Sequence, residues 1–218
     1  MLELSDIHVE IAGAPVLRSV SFALEPGKAT ILIGRNGAGK TTTLRTIMGL
    51  IKASRGEIRI DGERLDQMPA HARAGHGIGY APEDRRLIPE FTVEDNILLP
   101  ALALKVPSAK RATQLEEVYD FLPELKKMRS RSGGGVSGGQ GKMVALGRAL
   151  MLARKVLMLD EPFQGLAPAL ALDYARTLSR LRDAKPEIAI LITESSPHLL
   201  KAVADVTLMI ERGKVEVA

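Results

Sequence analysis

The segment Gly34-Arg35-Asn36-Gly37-Ala38-Gly39-Lys40-Thr41 decides the fold, because it matches the G-x-x-x-x-G-K-[ST] phosphate loop at every fixed position. In such a loop, glycines let backbone N–H groups turn toward phosphate oxygens where a Cβ would obstruct them. We expect Lys40 to reach the β- and γ-phosphates and the Thr41 hydroxyl to bind Mg²⁺. An apolar run at 29–33 predicts a buried strand entering the loop, and a helix at 41–50, which includes Thr42, would direct its positive dipole end at the same anion. The sequence therefore predicts an ATP site at 34–42.

Two consecutive acids follow a second apolar run. Residues 156–159 form a hydrophobic strand that ends in Asp160 and Glu161, so both acids should lie at the carboxyl edge of a sheet, where open α/β folds bind ligands. Asp160 suits Mg²⁺, directly or through water. Glu161 suits polarising a water toward the γ-phosphate, since phosphoryl transfer depends chiefly on positioning and charge stabilisation. Together with the phosphate loop, the pair predicts ATP hydrolysis.

Composition limits the classes of protein to which the chain can belong. With 218 residues, 45% of them hydrophobic, it can bury one substantial core, which favours one domain with a subdomain. The absence of cysteine excludes disulfides and thiolate metal sites. The net charge of +4 is spread along the chain and only 3% of the residues are aromatic, so composition gives no support to a nucleic-acid partner.

Two patterns bear on the membrane. The N-terminus has an early acid and no basic segment before an apolar stretch, so it does not resemble a signal peptide and we expect the chain to stay in the cytoplasm. The longest markedly apolar stretch, 97–104, is far shorter than a membrane span and contains Pro100. Any role at a membrane therefore depends on a partner.

Apolar periodicity predicts the strands and helices. Alternation predicts an antiparallel pair ahead of the phosphate loop, and continuous runs predict parallel strands. The predicted strands lie at 2–4 with 7–11, 16–24, 29–33, 56–60, 78–81, 156–159, 188–192, 206–210 and 215–217. Ser108 is the predicted N-cap of a helix through Phe121; another helix follows the Ser/Gly-rich loop 130–139 and runs through Ala153, and a third begins near Pro168. We predict an α/β core at 1–82 and 154–218 with an N-terminal antiparallel β subdomain and an inserted α-helical subdomain at 83–153.

A third motif, Ser137-Gly138-Gly139-Gln140, stands directly before a predicted helix and 23 residues upstream of Asp160 (160 − 137). A Gly-rich turn at a helix N-terminus is itself an anion site. With the phosphate loop and the acid pair, this motif resembles the signature of the ABC transporter ATPase superfamily. The resemblance implies a P-loop NTPase (RecA-like) core and ATP sandwiched at a dimer interface, where the signature meets the γ-phosphate held by the opposite subunit. It also implies membrane permease subunits as partners and a peripheral location on the cytoplasmic face of the inner membrane.

Less specific sequence similarities indicate a subgroup of this superfamily. Segments 80–89 and 91–96 resemble the ATPase subunits of branched-chain amino-acid importers, as do 147–151, 160–162 with 165–168, and 204–205. That resemblance implies an external solute-binding protein. It leaves open urea, short amides or aromatic acids as the solute, a regulatory subunit with weak turnover, a non-transport ABC ATPase, and a homo- or heteromeric dimer.

Three positions depart from the family pattern. Glu83 stands where most members have glutamine, and we expect it to serve Mg²⁺ and coupling. Ser195 occupies the place of the switch histidine; its hydroxyl can touch phosphate but carries no positive charge, so hydrolysis at this site should be weakened. For His198, one helical turn away, we favour packing or surface exposure over a substitute switch. No aromatic residue stands near Glu10 or Ile11, so recognition of adenine should be loose.

Overall fold

The computed structural model describes residues 1–196 and 203–217, which form two sheets and a group of helices. Described along the chain, its elements are β1 (Leu2–Ile11), β2 (Ala14–Leu24), β3 (Ala29–Ile33), α1 (Lys40–Ile47), β4 (Arg55–Ile60), β5 (Glu63–Arg64), α2 (Ala70–Arg73), β6 (Ile78–Ala81), α3 (Val93–Ala103), α4 (Ser108–Phe121), α5 (Pro123–Lys127), α6 (Gly138–Leu150), β7 (Val156–Asp160), α7 (Pro168–Ala184), β8 (Ala189–Glu194), β9 (Val206–Glu211) and β10 (Lys214–Val217), with short 3₁₀ turns at Ala74–His76 and Gly133–Gly135.

The larger sheet holds six strands in the order β10-β9-β3-β8-β7-β6. All neighbours are parallel except β10, which forms an antiparallel hairpin with β9. Strands β7 and β8 are buried along their whole length, as their continuous apolar runs predict. Because β8 lies between β3 and β7, the phosphate loop and the acid pair end up at the same edge, with Ile33 paired to Glu194 and Asp160 paired to Thr193.

The smaller sheet is antiparallel, with strands in the order β2-β1-β4-β5. The predicted antiparallel pair ahead of the phosphate loop is therefore present as β1 and β2. Register shifts interrupt its pairing with β2, and Asp6 and Ser19 both take left-handed backbone angles there, with φ of 53° and 60°. The apolar face of this sheet packs with α1 and one face of the larger sheet in a single core cluster.

The helix α6, which carries the signature motif, lies directly against β6. A Cβ at Gly79 would come within 2.2 Å of the carbonyl oxygen of Ala149, so only glycine allows this approach. On its other side α6 packs on α3, α4 and α5, and a second core cluster joins these helices to the larger sheet. The position of the signature motif is thus fixed from both sides.

Several predicted boundaries are wrong by a few residues. The first helix ends at Ile47 rather than at 50, because Gly49 turns the chain with φ of 73°. Ser108 is the first helical residue, and extended Pro107 takes the cap position without a side-chain hydrogen bond. Helix α6 ends at Leu150, where the chain turns toward β7, rather than at Ala153. Among the described helices, none has the length and apolar character needed to cross a bilayer.

Candidate nucleotide site

The phosphate loop lies between β3 and α1 and borders a cavity of about 310 Å³. Gly37 and Gly39 have φ of 80° and 114°, which only glycine adopts readily, and Gly39 is the N-cap of α1. The cavity is lined by Val16, Asn36, Gly37, Gly39, Lys40, Thr41, Thr42, Glu83, Glu161 and Gln164. Residues from the predicted nucleotide site, two predicted metal ligands, Thr41 and Glu83, and the predicted catalytic acid therefore share one cavity.

The Lys40 ammonium is held by several acceptors at the mouth of this loop. The side chain is 4% exposed, and Nζ donates to the carbonyl oxygens of Gly34 at 2.6 Å and Arg35 at 3.2 Å. Nζ also donates to Oγ of Ser195 at 3.0 Å and forms an ion pair with Oε1 of Glu161 at 3.0 Å. The loop thus carries a buried positive charge at the point where a nucleotide phosphate would enter.

The third predicted metal ligand, Asp160, is 2% exposed and accepts three hydrogen bonds. Its Oδ1 accepts from the hydroxyls of Thr41 at 3.0 Å and Thr193 at 2.8 Å, and its Oδ2 accepts from Tyr80 at 3.3 Å. Burial raises the pKa of Asp160, against the hydrogen bonds, which lower it.

This arrangement fits Mg²⁺. The ion commonly takes one or two protein oxygens together with phosphate oxygens and water, and Thr41 and Asp160 present two oxygens side by side. Glu83 borders the same cavity. Within 1–196 and 203–217, no cluster of three histidine, cysteine or acidic side chains could hold a metal without such added ligands.

Glu161 has a left-handed backbone, with φ of 47°, which is costly for a residue with a Cβ. Its N–H donates to the carbonyl oxygen and the hydroxyl of Thr193, at 3.1 and 3.2 Å. Its carbonyl oxygen accepts from Nζ of Lys142 and from the N–H of Gln164 at 3.3 Å. Contacts on both sides of the residue therefore hold this conformation.

The hydroxyl of Ser195 lies between the phosphate loop and Glu161. Its Oγ is 2.8 Å from Oδ1 of Asn36, 2.8 Å from Oε1 of Glu161 and 3.0 Å from Nζ of Lys40. A hydroxyl has a single proton, so Ser195 donates at any time either to Asn36 or to Glu161, while it accepts from Lys40. His198 lies outside the described residues.

The signature motif lies apart from this cavity. Ser137 is the N-cap of α6, where its Oγ accepts from the N–H of Gln140 at 3.2 Å and its N–H donates to Oε1 of Gln140 at 2.9 Å. Ser137 and Gly138 are exposed, Gly139 packs close to Leu170, and no signature residue lines the phosphate cavity. The two predicted phosphate-binding motifs of this chain therefore do not converge on one point.

Three polar groups of the site are absent from the predicted set. Thr193 and Glu194 end β8, and Lys142 lies one turn inside α6. Glu194 is 5% exposed, burial raises its pKa to about 7, and its Oε1 accepts from the N–H of Phe163 at 2.9 Å. Thr193 and Glu194 could have been predicted, because they are polar residues at the end of the apolar run of β8. No local sequence pattern marks Lys142.

Comparison with known proteins places these features in one family. Residues 17–164 match the model of the ABC transporter family. The high-affinity branched-chain amino acid transport ATP-binding protein BraG of Pseudomonas aeruginosa is 32% identical over 215 residues, which cover 99% of this chain and 91% of that protein. The lipopolysaccharide export system ATP-binding protein LptB of Escherichia coli K12 is 33% identical over 204 residues, covering 92% and 83%.

Solved structures agree. An ATP-binding subunit of an ABC transporter superposes with a TM-score of 0.85 at 28% identity, covering 100% of this chain and 88% of that one. An ATP-binding cassette of an ABC transporter in its ADP conformation gives 0.86 at 27% identity, covering 99% and 89%. The predicted P-loop α/β fold with an antiparallel sheet and a helical insertion is confirmed. The chain belongs to the ABC transporter family, of which it is an ATP-hydrolysing member.

Proposed function

We propose that the chain is the ATPase subunit of an importer for branched-chain or related amino acids, and that its own Lys40, Thr41, Asp160 and Glu161 carry out the hydrolysis. The observation that carries the ATPase assignment is the shared edge of the larger sheet, where Lys40, Ser195 and Glu161 contact one another and Asp160 contacts Thr41. The similarity to BraG over 99% of the chain supports the importer.

Phosphate binding would follow from groups already in place. The N–H groups of 34–39 and the first turn of α1 offer donors and a positive dipole end to the β- and γ-phosphates. Lys40 would exchange the carbonyl oxygens of Gly34 and Arg35 for phosphate oxygens, since its flexible stem lets the ammonium move while its charge stays buried. Thr41, Asp160 and Glu83 would hold Mg²⁺, which when bound neutralises charge on the phosphates.

Glu161 would orient and deprotonate the attacking water. Its carboxylate borders the phosphate cavity, and Lys40 and Ser195 fix one of its oxygens. Once Lys40 turns to the phosphates, the hydroxyl of Ser195 remains as a neutral partner for that oxygen. Ser195 supplies no positive charge to the γ-phosphate, which accounts for our expectation of slow hydrolysis at this site.

A second ATPase subunit would complete each site. The exposed Ser137 and Gly138 at the N-terminus of α6 offer a hydroxyl and a dipole end, and neither lies in the cavity of its own chain. In the proposed dimer they meet the γ-phosphate held by the other subunit. The assembly would sit on permease subunits at the cytoplasmic face of the membrane and receive its solute from an external binding protein.

A second candidate function is lipopolysaccharide export, because the identity to LptB is as high as that to BraG. Urea, short amides and aromatic acids are further candidate solutes. Transport assays separate these functions. Cells lacking the chain would be complemented with the wild type, with Glu161→Gln, or with Glu187→Gln as a matched control at an exposed acid.

We expect uptake of labelled leucine to be restored by the wild type and by Glu187→Gln, and not by Glu161→Gln. Normal leucine uptake without the chain, together with loss of lipopolysaccharide from the cell surface, would instead assign the export function. Loss of urea, amide or benzoate uptake alone would keep the importer and change its solute.

A further inference from the structure

Lys142 connects the signature helix to the backbone of the catalytic acid. It is the fifth residue of α6, two residues after the signature motif, and is only partly exposed. Its Nζ donates to the carbonyl oxygen of Glu161, which lies 19 residues farther along the chain. No other described side-chain donor reaches that oxygen; its second partner is the backbone N–H of Gln164.

The acidic residues around Lys142 explain why its partly buried ammonium is tolerated there. Burial lowers the pKa of Lys142, and the nearby carboxylates of Glu194, Glu83 and Glu161 act in the opposite direction. Glu194 is itself nearly inaccessible, and the positive charge of Lys142 lowers its pKa against the effect of burial. The ammonium of Lys142 keeps its hydrogen bond to the carbonyl oxygen of Glu161, because losing that acceptor would leave a partly buried charge without a hydrogen-bond partner.

We infer that Lys142 is a positioning residue for hydrolysis: it holds Glu161 in its left-handed backbone conformation and makes the carboxylate of Glu161 follow the movement of α6. This inference rests on the proposed function, since it takes Glu161 as the catalytic acid.

The two sides of Glu161 are anchored to different parts of the molecule. Its N–H is fixed to Thr193 at the end of β8, and its carbonyl oxygen is fixed to α6 through Lys142. A shift of α6 relative to the larger sheet therefore acts on the single residue between these anchors. The signature motif lies at the start of α6, and Lys142 follows Ser137 by five residues. Contact of that motif with the ATP of a second subunit would therefore act, through Lys142, on the backbone of Glu161.

Without Lys142, Glu161 loses the charged donor to its carbonyl oxygen. A left-handed conformation is costly for a non-glycine residue and persists only where surrounding contacts impose it. A change of the backbone angles of Glu161 would turn its carboxylate away from Ser195 and Lys40. The turnover number should then fall while ATP still binds, since the phosphate loop is untouched.

The test compares three variants of the purified chain. Lys142→Met removes the donor and the charge, Lys142→Arg keeps both, and Lys110→Met is the matched control at an exposed lysine of α4. We expect Lys142→Met to lower kcat about ten- to a hundredfold, as misplacement of a catalytic group does, with KM for ATP changed less than about twofold. Lys142→Arg should recover most of kcat, and Lys110→Met should behave as the wild type.

A second readout does not depend on turnover. Hydrogen exchange followed by mass spectrometry should show faster exchange in the peptide covering 160–166 in Lys142→Met, with β3 and β6 unchanged. Unchanged exchange there, an equal loss of kcat in the Met and Arg variants, or wild-type kcat in Lys142→Met would each overturn the inference. A different pair of results would refute the proposed function and, with it, the role of Lys142 in hydrolysis. In that case Lys142→Met shows faster exchange at 160–166, but the wild type has no ATPase activity that depends on Glu161. If Lys142→Met does not fold, Lys142→Gln, which removes the charge and shortens the side chain but stays polar, is compared with Lys142→Arg by the same two readouts.

Discussion

At the scale of single residues, Ser195 is the position where a change should increase activity. Its hydroxyl contacts Glu161, Asn36 and Lys40 but cannot place a positive charge beside the γ-phosphate. We predict that Ser195→His raises the ATP turnover of the assembled complex by about ten- to a hundredfold, because a hydrogen bond from a charged group contributes about 1.5–3 kcal/mol. The measurement is steady-state hydrolysis at saturating ATP, with the neighbouring exposed Ser196→His as control. Equal turnover in Ser195→His and the wild type would refute a weakened switch.

Glu194 makes the stability of the chain depend on pH. Burial raises its pKa from 4.5 to about 7, so the folded protein holds this proton more tightly than the unfolded chain does. The contribution of Glu194 to the free energy of unfolding is therefore fully present below about pH 4.5 and falls by roughly 3 kcal/mol as pH rises through about 7. Glu194→Gln should remove this decline.

Urea unfolding between about pH 5 and 8 measures that decline, with Glu187→Gln as the control at an exposed acid. We expect the wild type and Glu187→Gln to lose stability across this range and Glu194→Gln to lose less. Parallel pH curves for all three proteins would mean that Glu194 is ionised at no cost in the folded state.

At the scale of elements, the approach of α6 to β6 decides where the signature motif and Lys142 lie. A Cβ at Gly79 would meet the backbone oxygen of Ala149 at 2.2 Å, whereas at Gly75 the nearest atom, in Leu104, is 4.0 Å away. We predict that Gly79→Ala displaces α6 and lowers the free energy of unfolding by about 1–3 kcal/mol, as overpacking does. Gly75→Ala is the control, and equal urea midpoints for the two variants would contradict the prediction.

The elements also show where sequence reasoning succeeds. Strands β3 and β7 follow from continuous apolar runs, and the hairpin of β9 and β10 from the turn between them, because burial and turn chemistry are local signals. Ser108 misled the prediction, because extended Pro107 supplies the cap conformation instead. Boundaries depend on such competition between neighbours, which residue type alone does not resolve.

Only part of the candidate site could be predicted from the sequence. The phosphate loop and the acid pair are contiguous motifs, and the fold brings Lys40, Thr41, Asp160 and Glu161 together as expected. Lys142 is found only in three dimensions, because its contact with Glu161 depends on the packing of α6 on the sheet. The catalytic, metal-binding and signature roles, including those of Glu83 and Ser195, stay predictions.

At the scale of the whole molecule, the two predicted phosphate-binding motifs of one chain lie apart. The phosphate cavity is lined by Lys40 and Glu161 but by none of the residues 137–140. Under the proposed function, one chain alone therefore offers an incomplete site, and hydrolysis requires a second subunit. The division into a core at 1–82 and 154–218 and a helical subdomain at 83–153 stays a prediction.

The most direct test of this central claim is ATP hydrolysis by the purified chain at rising concentration, for the wild type, Glu161→Gln and Glu187→Gln, with size measured in the presence of ATP. We expect turnover per chain to rise steeply with concentration in the wild type and in Glu187→Gln. We expect Glu161→Gln to form ATP-dependent dimers without turnover. Turnover per chain that is independent of concentration, or that persists in Glu161→Gln, would refute a shared site.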